Sequence, residues 1–343
     1  MKFIVGFVAV VLLFEGAIRI LIGAPRPEQL PLIRVQPDPR FGYRPIPGDQ
    51  HYGYDELTKL NDLGLRGEKV NPKRLDEHRI LAFGGTQVYG LGIADAELFT
   101  NVLEDHLNRD DHAGTYRVIN FGIRAFTLRQ QLNLLEEVGV DVAPDHVMVF
   151  LDMYSMREMD IPRYYRQIEA RDWYMLDLAG KPDGRVLAQW YVKQAARKSA
   201  LVAWLHSLYK DWNQRSSLAS KVLRGEKDAQ VDRWLRFVTT QVDAFIASAK
   251  ARGFTLSFIL LPFPSQLSND QPTRWYQSHL RDIVTARGLR FFDLQEPLRK
   301  LYKQTGRLPV APFDAHYSAA AHDAIGRYLS NALYENAVVP VES

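Results

Sequence analysis

The sequence predicts an α/β protein: an open parallel sheet covered by helices on both faces, preceded by one membrane-spanning helix. Three observations predict it. From residue 79 onward, short apolar runs alternate with segments of helical spacing. Those runs are continuous rather than alternating with polar residues, as strands buried on both faces require. Phe3–Ala24 is apolar except for Glu15 and Arg19, and it has the length of about 20 residues that crosses a bilayer as a helix.

The elements follow in chain order. Residues 1–24 read as a transmembrane anchor, with Lys2 in front and Pro25, Pro27 and Pro31 behind. A cleaved signal peptide is the competing reading; Ile22-Gly23-Ala24 ends in small residues, but Pro25 after the cut argues against cleavage. Glu15 and Arg19 lie i,i+4 and share a face. They are expected to pair within the helix, or to make a polar contact to a membrane-protein partner. Only Lys2 precedes the helix while Arg26, Arg34, Arg40 and Arg44 follow it, so the positive-inside count places the main domain in the cytoplasm.

Residues 25–78, rich in proline, glycine and tyrosine, read as an extended stalk leading into an irregular N-terminal flap. The α/β domain covers 79–335. Strands are predicted at Ile80–Phe83, Tyr116–Phe121, His146–Leu151, Phe254–Leu261 and Leu289–Phe292. Helices are predicted at Ala96–Asn108, Thr127–Val138, about 228–252 and His316–Leu333. A helical insert at about 157–227 interrupts the alternation. Within it, Arg185–Arg224 holds eight Lys/Arg against one acid, Asp211, and includes Trp190, Trp204 and Trp212. Such a segment lies on a membrane or an acidic glycan, or caps the sheet with its lysines in water. Residues 336–343 form a tail.

A net charge of +3 is too small for a nucleic-acid binder, and the absence of cysteine removes thiol catalysis, disulfides and thiolate metal sites. His112, His206 and His279 show no ligand spacing, so no metal site is expected. Gly84, Gly85, Gly90 and Gly92 do not form a nucleotide-binding pattern, and no cofactor is expected.

Chemistry concentrates in two places. Arg79–Ile93, RILAFGGTQVYGLGI, breaks from a strand into a Gly-Gly turn carrying the Thr86 hydroxyl, and PFDAHYSAAAH (Pro312–His322) offers Asp314 and His316. A hydroxyl on a strand-to-helix turn with a distant Asp-x-His is the part list of a nucleophilic hydrolase. Active sites of such sheets lie beyond the carboxyl ends of the strands, where Thr86 falls.

The ordered set ILAFGGTQVYGLGI, VINFGIRAFTLRQ, VMVFLDMYSM and DAHYSAAAH resembles the SGNH (GDSL) hydrolase superfamily across about residues 38–335. FGYR (Phe41–Arg44) and NDLGLRG (Asn61–Gly67) look like the lead-in of its membrane-anchored members. The resemblance implies a flavodoxin-like three-layer α/β/α sandwich and acyl hydrolysis or transfer by a Ser-His-Asp triad. It places Thr86 at the nucleophile, after Gly85, with His316 as base and Asp314 orienting it. The oxyanion glycine falls on Ala125 and the oxyanion asparagine on Tyr154. Gln87, Arg124 and Asp152 are substrate-pocket candidates. Gln87 reads equally as a helix-start residue, Asp152 as a capping carboxylate, and Arg124 as a substrate contact or the partner of Asp152. His322, on the following helix, reads as structural.

The departures weaken the expected chemistry. The Thr86 β-methyl stiffens χ1, and loss of one oxyanion donor costs about 10²–10³ in rate. Two functions from different classes follow. One is a membrane-tethered ester hydrolase or O-acyl transferase acting on an envelope glycan or lipid. The other is an inactive pseudo-hydrolase serving as an accessory subunit of a membrane complex or as a glycan-binding module. Against the charge count, the resemblance implies a domain outside the cytoplasmic membrane.

Overall fold

The computed structural model describes residues 2–109, 115–170, 184–213, 217–268 and 274–336. The chain begins with helix α1 (Lys2–Leu21), followed by strands β1 (Val35–Asp38), β2 (Gly42–Pro45), β3 (Gln50–Gly53) and β4 (Glu56–Lys59). Then come β5 (Glu77–Gly84), α2 (Thr86–Tyr89), α3 (Phe99–Arg109), β6 (Thr115–Gly122), α4 (Leu128–Leu134) and β7 (His146–Leu151). Helices α5 (Ile161–Glu169), α6 (Gly184–Lys198), α7 (Ala200–Asn213), α8 (Leu218–Leu223) and α9 (Ala229–Arg252) precede β8 (Thr255–Leu260). The chain closes with α10 (Pro264–Ser268), α11 (Trp275–Thr285), β9 (Arg290–Asp293), α12 (Gln295–Thr305) and α13 (Ala319–Glu335).

The central sheet is wholly parallel, in the order β6-β5-β7-β8-β9. Alternate residues of each strand feed two cores. Leu81, Phe83, Phe121 and Val149 point to the α4, α9 and α11 side, against Trp234, Phe245 and Leu280. Ile80, Ala82, Met148 and Phe150 point to α3, α12 and α13, against Leu103, Leu298 and Ile325. Burying a large apolar side chain contributes about 1.5–3 kcal/mol, so sheet and helices assemble as three α/β/α layers. The closest backbone approach lies where α2 crosses β6: a Cβ on Gly122 would stand 2.3 Å from the Tyr89 nitrogen.

Differences from the sequence reading have local causes. The helix predicted from Ala96 starts at Phe99, because Asp95–Glu97 forms a separate tight turn and Leu98 is extended. The helix predicted from Thr127 to Val138 runs as α4 and then widens over Leu135–Gly139. The closing helix begins at Ala319 rather than His316. Tyr317 is taken up in a bridge to Val310, and the Ser318 hydroxyl accepts the Ala321 N–H. His316 therefore stands on a loop.

Residues 25–78, read as stalk and flap, contain two antiparallel hairpins, β1–β2 and β3–β4. Their runs are too short for periodicity to show, yet Ile33, Val35, Phe41, Tyr43 and Leu65 join the larger core. The insert holds α5 to α8. Its residues 171–183 and 214–216, and 337–343 of the tail, lie outside the described residues, as do the side chains of Asp211 and Trp212. The helix Phe3–Leu21 is long and apolar enough to cross a membrane, as an anchor or a signal sequence.

Candidate active site

The site forms at the carboxyl ends of β5, β6 and β7. Strand β5 ends at Gly84, and Gly85 turns the chain into α2, whose first residue is Thr86. A Cβ on Gly84 would collide with Val88 at 2.2 Å, so glycine permits this tight turn. After β6 the chain turns through Ile123–Phe126, with the Phe126 N–H bonded to the Ile123 carbonyl at 3.1 Å. Ala125 sits in this turn at φ 62°, a left-handed conformation that costs a non-glycine residue about 1–2 kcal/mol. It aims the Ala125 N–H at Thr86 Oγ1, 3.0 Å away. The geometry a glycine would have provided is thus kept by an alanine.

The far end of the chain supplies the acid-base pair. His316 Nδ1 lies 2.7 Å from Asp314 Oδ1, which leaves Nε2 as the free base nitrogen when Asp314 is ionised. Burial opposes ionisation of Asp314, but the His316 imidazole and the Ala315 and His316 N–H groups outweigh it and hold the carboxyl below its ordinary value. Gln87 ties this loop to α2, its Nε2 donating to the Ala315 carbonyl at 2.7 Å and its Oε1 accepting the Tyr317 N–H at 3.0 Å. Among the described residues no hydrogen bond joins Thr86 to His316. The two halves are joined through Gln87 and not directly.

The remaining candidates divide. Asp152 is a buried capping carboxylate: its Oδ1 accepts the Tyr154 and Ser155 N–H groups at 2.8 and 3.0 Å. Burial pushes its carboxyl up against those bonds. Its Oδ2 would lie 3.6 Å from a Cβ on Gly85, so the residue just after β7 places a carboxylate beside the Gly85–Thr86 turn. Tyr154 is 47% exposed, its ring 5.7 Å from that of Phe263. It takes a place on the wall of the cleft rather than the compact position of an amide donor. Among the described residues Arg124 makes no ion pair with Asp152, and its carbonyl accepts the Tyr43 hydroxyl.

Several bracing residues escaped the sequence reading. Tyr54, at φ 61° in the β3–β4 turn, donates its hydroxyl to Asp314 Oδ2 and lies 3.2 Å from His316 Nδ1. Arg66, of the NDLGLRG block, is buried and caps the end of α2 through the Tyr89 and Gly90 carbonyls. Behind α2, the buried His51 bridges Asp49 Oδ2 at 3.0 Å and the Tyr89 hydroxyl at 2.5 Å. Asn120 donates to the Val88 carbonyl at 2.8 Å. The only signal for Asn120 is a polar residue inside an apolar strand. His322, by contrast, reads from the sequence as structural, and it accepts the Phe99 N–H at 3.1 Å at the start of α3.

A cleft of about 1410 Å³ opens over His316 and Asp314, walled by Arg124, Tyr154, Trp190 and Arg197. Thr86, Gln87 and Asp152 are not among its lining residues. Among the described residues no group of three or more His, Asp or Glu is placed to hold a metal ion.

No family model matches the chain, and no curated protein matches it. Among solved structures it is similar to a mutant of an acetyl-xylooligosaccharide esterase from Geobacillus Stearmophilus, at 14% identity and TM-score 0.45, over 80% of this chain and 99% of that one. It is similar to a member of the lipolytic protein G-D-S-L family from Veillonella parvula DSM 2008, at 11% identity and TM-score 0.42, over 75% and 98%. An acetyl xylan esterase, AlAXEase, aligns at 10% identity and TM-score 0.44, over 76% and 100%. The first strand delivers Gly85 and Thr86, the second Ala125, the third Tyr154, and the closing loop Asp314 and His316. These blocks stand in order around the parallel sheet of a three-layer α/β/α fold.

Proposed function

We propose that this chain is a membrane-anchored SGNH/GDSL-type protein of the cell envelope, with weak ester hydrolysis or O-acyl transfer on an envelope glycan or lipid. The observation that carries the proposal is the Ala125 N–H directed at Thr86 Oγ1 at 3.0 Å, with the Asp314–His316 pair held to the same helix by Gln87. In the reaction, Thr86 Oγ1 attacks the acyl carbon and its proton passes to His316 Nε2. The Ala125 N–H stabilises the oxyanion, and His316 returns the proton to the departing alkoxide. Water or a sugar hydroxyl then releases the acyl group by the same steps in reverse. Without a compact amide donor at position 154, the rate should fall by about 10²–10³ relative to a complete oxyanion hole.

A second reading is a pseudo-hydrolase that keeps the fold as a glycan-binding module or accessory subunit. It is favoured by the missing hydrogen bond between Thr86 and His316 and by Tyr154 on the cleft wall. The full chain, in nanodiscs, should be assayed on small acetyl esters with Thr86→Ala, Thr86→Ser and His316→Ala. Turnover abolished by Thr86→Ala and His316→Ala supports the enzyme; silence in all four proteins favours the pseudo-hydrolase. The domain is expected on the outer side of the cytoplasmic membrane. A C-terminal alkaline phosphatase fusion should then be active, and an inactive one would place the domain in the cytoplasm.

A further inference from the structure

Helix α1 does not stand clear of the domain. Glu15 and Arg19 pair at 2.7 Å and then grip the junction between α6 and α7. Glu15 accepts the Ser199 hydroxyl at 2.7 Å and the Ala200 and Leu201 N–H groups at 2.9 and 2.8 Å. Arg19 donates to the Lys198 carbonyl at 2.9 Å. One carboxylate thus caps the start of α7, and one guanidinium closes the end of α6. Glu15 and Arg19 thus pair within the helix and also dock their own insert.

The depth of this contact matters. At 1.5 Å per residue, Glu15 lies about 9 Å inside the end of α1 at Leu21, below the level where a spanning helix leaves the bilayer. Val11, Glu15, Gly16 and Ile18 are the shielded positions of a helix otherwise exposed over Phe3–Leu21. Helices α1 and α7 pack together, and α7 opens with an apolar stretch, Ala200–Tyr209. Its inner side buries Ala200 and Ala203. Its outer side exposes Leu205, Leu208 and Tyr209, at 53%, 47% and 61%. Those three stand i, i+3 and i+4 and share one face. Among the described residues this face is left exposed, on a helix that packs against the exposed apolar helix α1.

We propose that the α6–α7 hairpin sits in the same bilayer leaflet as the end of α1, with Leu205, Leu208 and Tyr209 against lipid acyl chains. The inference rests on α1 spanning the membrane and is independent of catalysis. The arrangement carries the cleft to the lipid surface. Ile20 and Ile22 of the anchor end line the same cleft as His316. A Cβ on Gly23 would meet Pro312, two residues before Asp314, at 2.8 Å.

The chain has no cysteine, so single-cysteine labelling is free of background. An environment-sensitive fluorophore is placed at Leu205→Cys or Leu208→Cys in the full chain, in phosphatidylcholine nanodiscs with and without nitroxide-labelled lipid. Leu12→Cys reports the anchor itself. Lys250→Cys, exposed in the last turn of α9 just before β8 begins, reports water. The expected result is loss of emission to the nitroxide lipid at 205 and 208 comparable with that at 12, shielding of both from aqueous iodide, and neither effect at 250. Quenching at 12 with 205 and 208 open to iodide overturns the hairpin placement and leaves the anchor standing. No quenching at 12, 205 or 208 overturns both.

Discussion

Tyr54 stands 260 residues from Asp314 in the chain, yet its hydroxyl donates to that carboxylate. The residues legible in the sequence, Thr86, Ala125, Asp314 and His316, sit in local blocks whose residue types announce their chemistry. Tyr54 sits in GYDE, which reads only as a turn; its meaning depends on a hairpin folding back over the sheet. A hydrogen bond to a charged group contributes about 1.5–3 kcal/mol, so Tyr54→Phe should destabilise the protein by that amount at pH 7, read from urea unfolding. Asp314 is held below its ordinary 3.8, so its ionised form favours the folded state above that value. This contribution drains away as pH falls through the lower, folded value. The cost of Tyr54→Phe should shrink in the same acid window, and a cost that stays undiminished once Asp314 is protonated would count against the contact.

Elements were legible where burial imposed a pattern. Strand His146–Leu151 has the predicted bounds, and the other four lie within a few residues of theirs, because a sheet covered on both faces leaves an uninterrupted apolar run. Ends and loops were not legible, since caps and bridges depend on partners distant in sequence. Gln87 is the clearest case. The sequence left it between pocket and helix start, and the structure makes it the clamp between α2 and the Ala315–Tyr317 backbone. Removing both bonds in Gln87→Ala should cost about 1–3 kcal/mol. Exchange of the Tyr317 amide should accelerate more than that of amides in β7, as hydrogen-exchange mass spectrometry or NMR would show. Equal protection at Tyr317 in both proteins would mean the loop holds itself.

At the scale of the whole molecule, acid is expected to loosen the fold in a defined window. Burial lowers His146 and His322 to about 3. Burial, with Arg124 and Arg66 adding, lowers His51 to about 4 against the pull of Asp49. All three are neutral in the folded chain, while the unfolded chain takes up protons near the ordinary 6.5. Stability therefore falls as pH drops from about 6.5 towards 4, each histidine steepening the loss by up to about 1.4 kcal/mol per pH unit. A Tm flat between pH 7 and 4.5 would contradict this. The sequence carried the three-layer architecture and the apolar N-terminal helix but not their junction, because the Glu15 grip on α7 joins segments 184 to 186 residues apart. Nor did it reveal the role of the β3–β4 hairpin. The hairpin that presents Tyr54 to Asp314 also presents His51 to Tyr89, on the helix that Thr86 begins. Both halves of the site thus share a common ancestor in the fold. Loss of this hairpin would therefore unsettle the helix that Thr86 begins and the Asp314–His316 pair together.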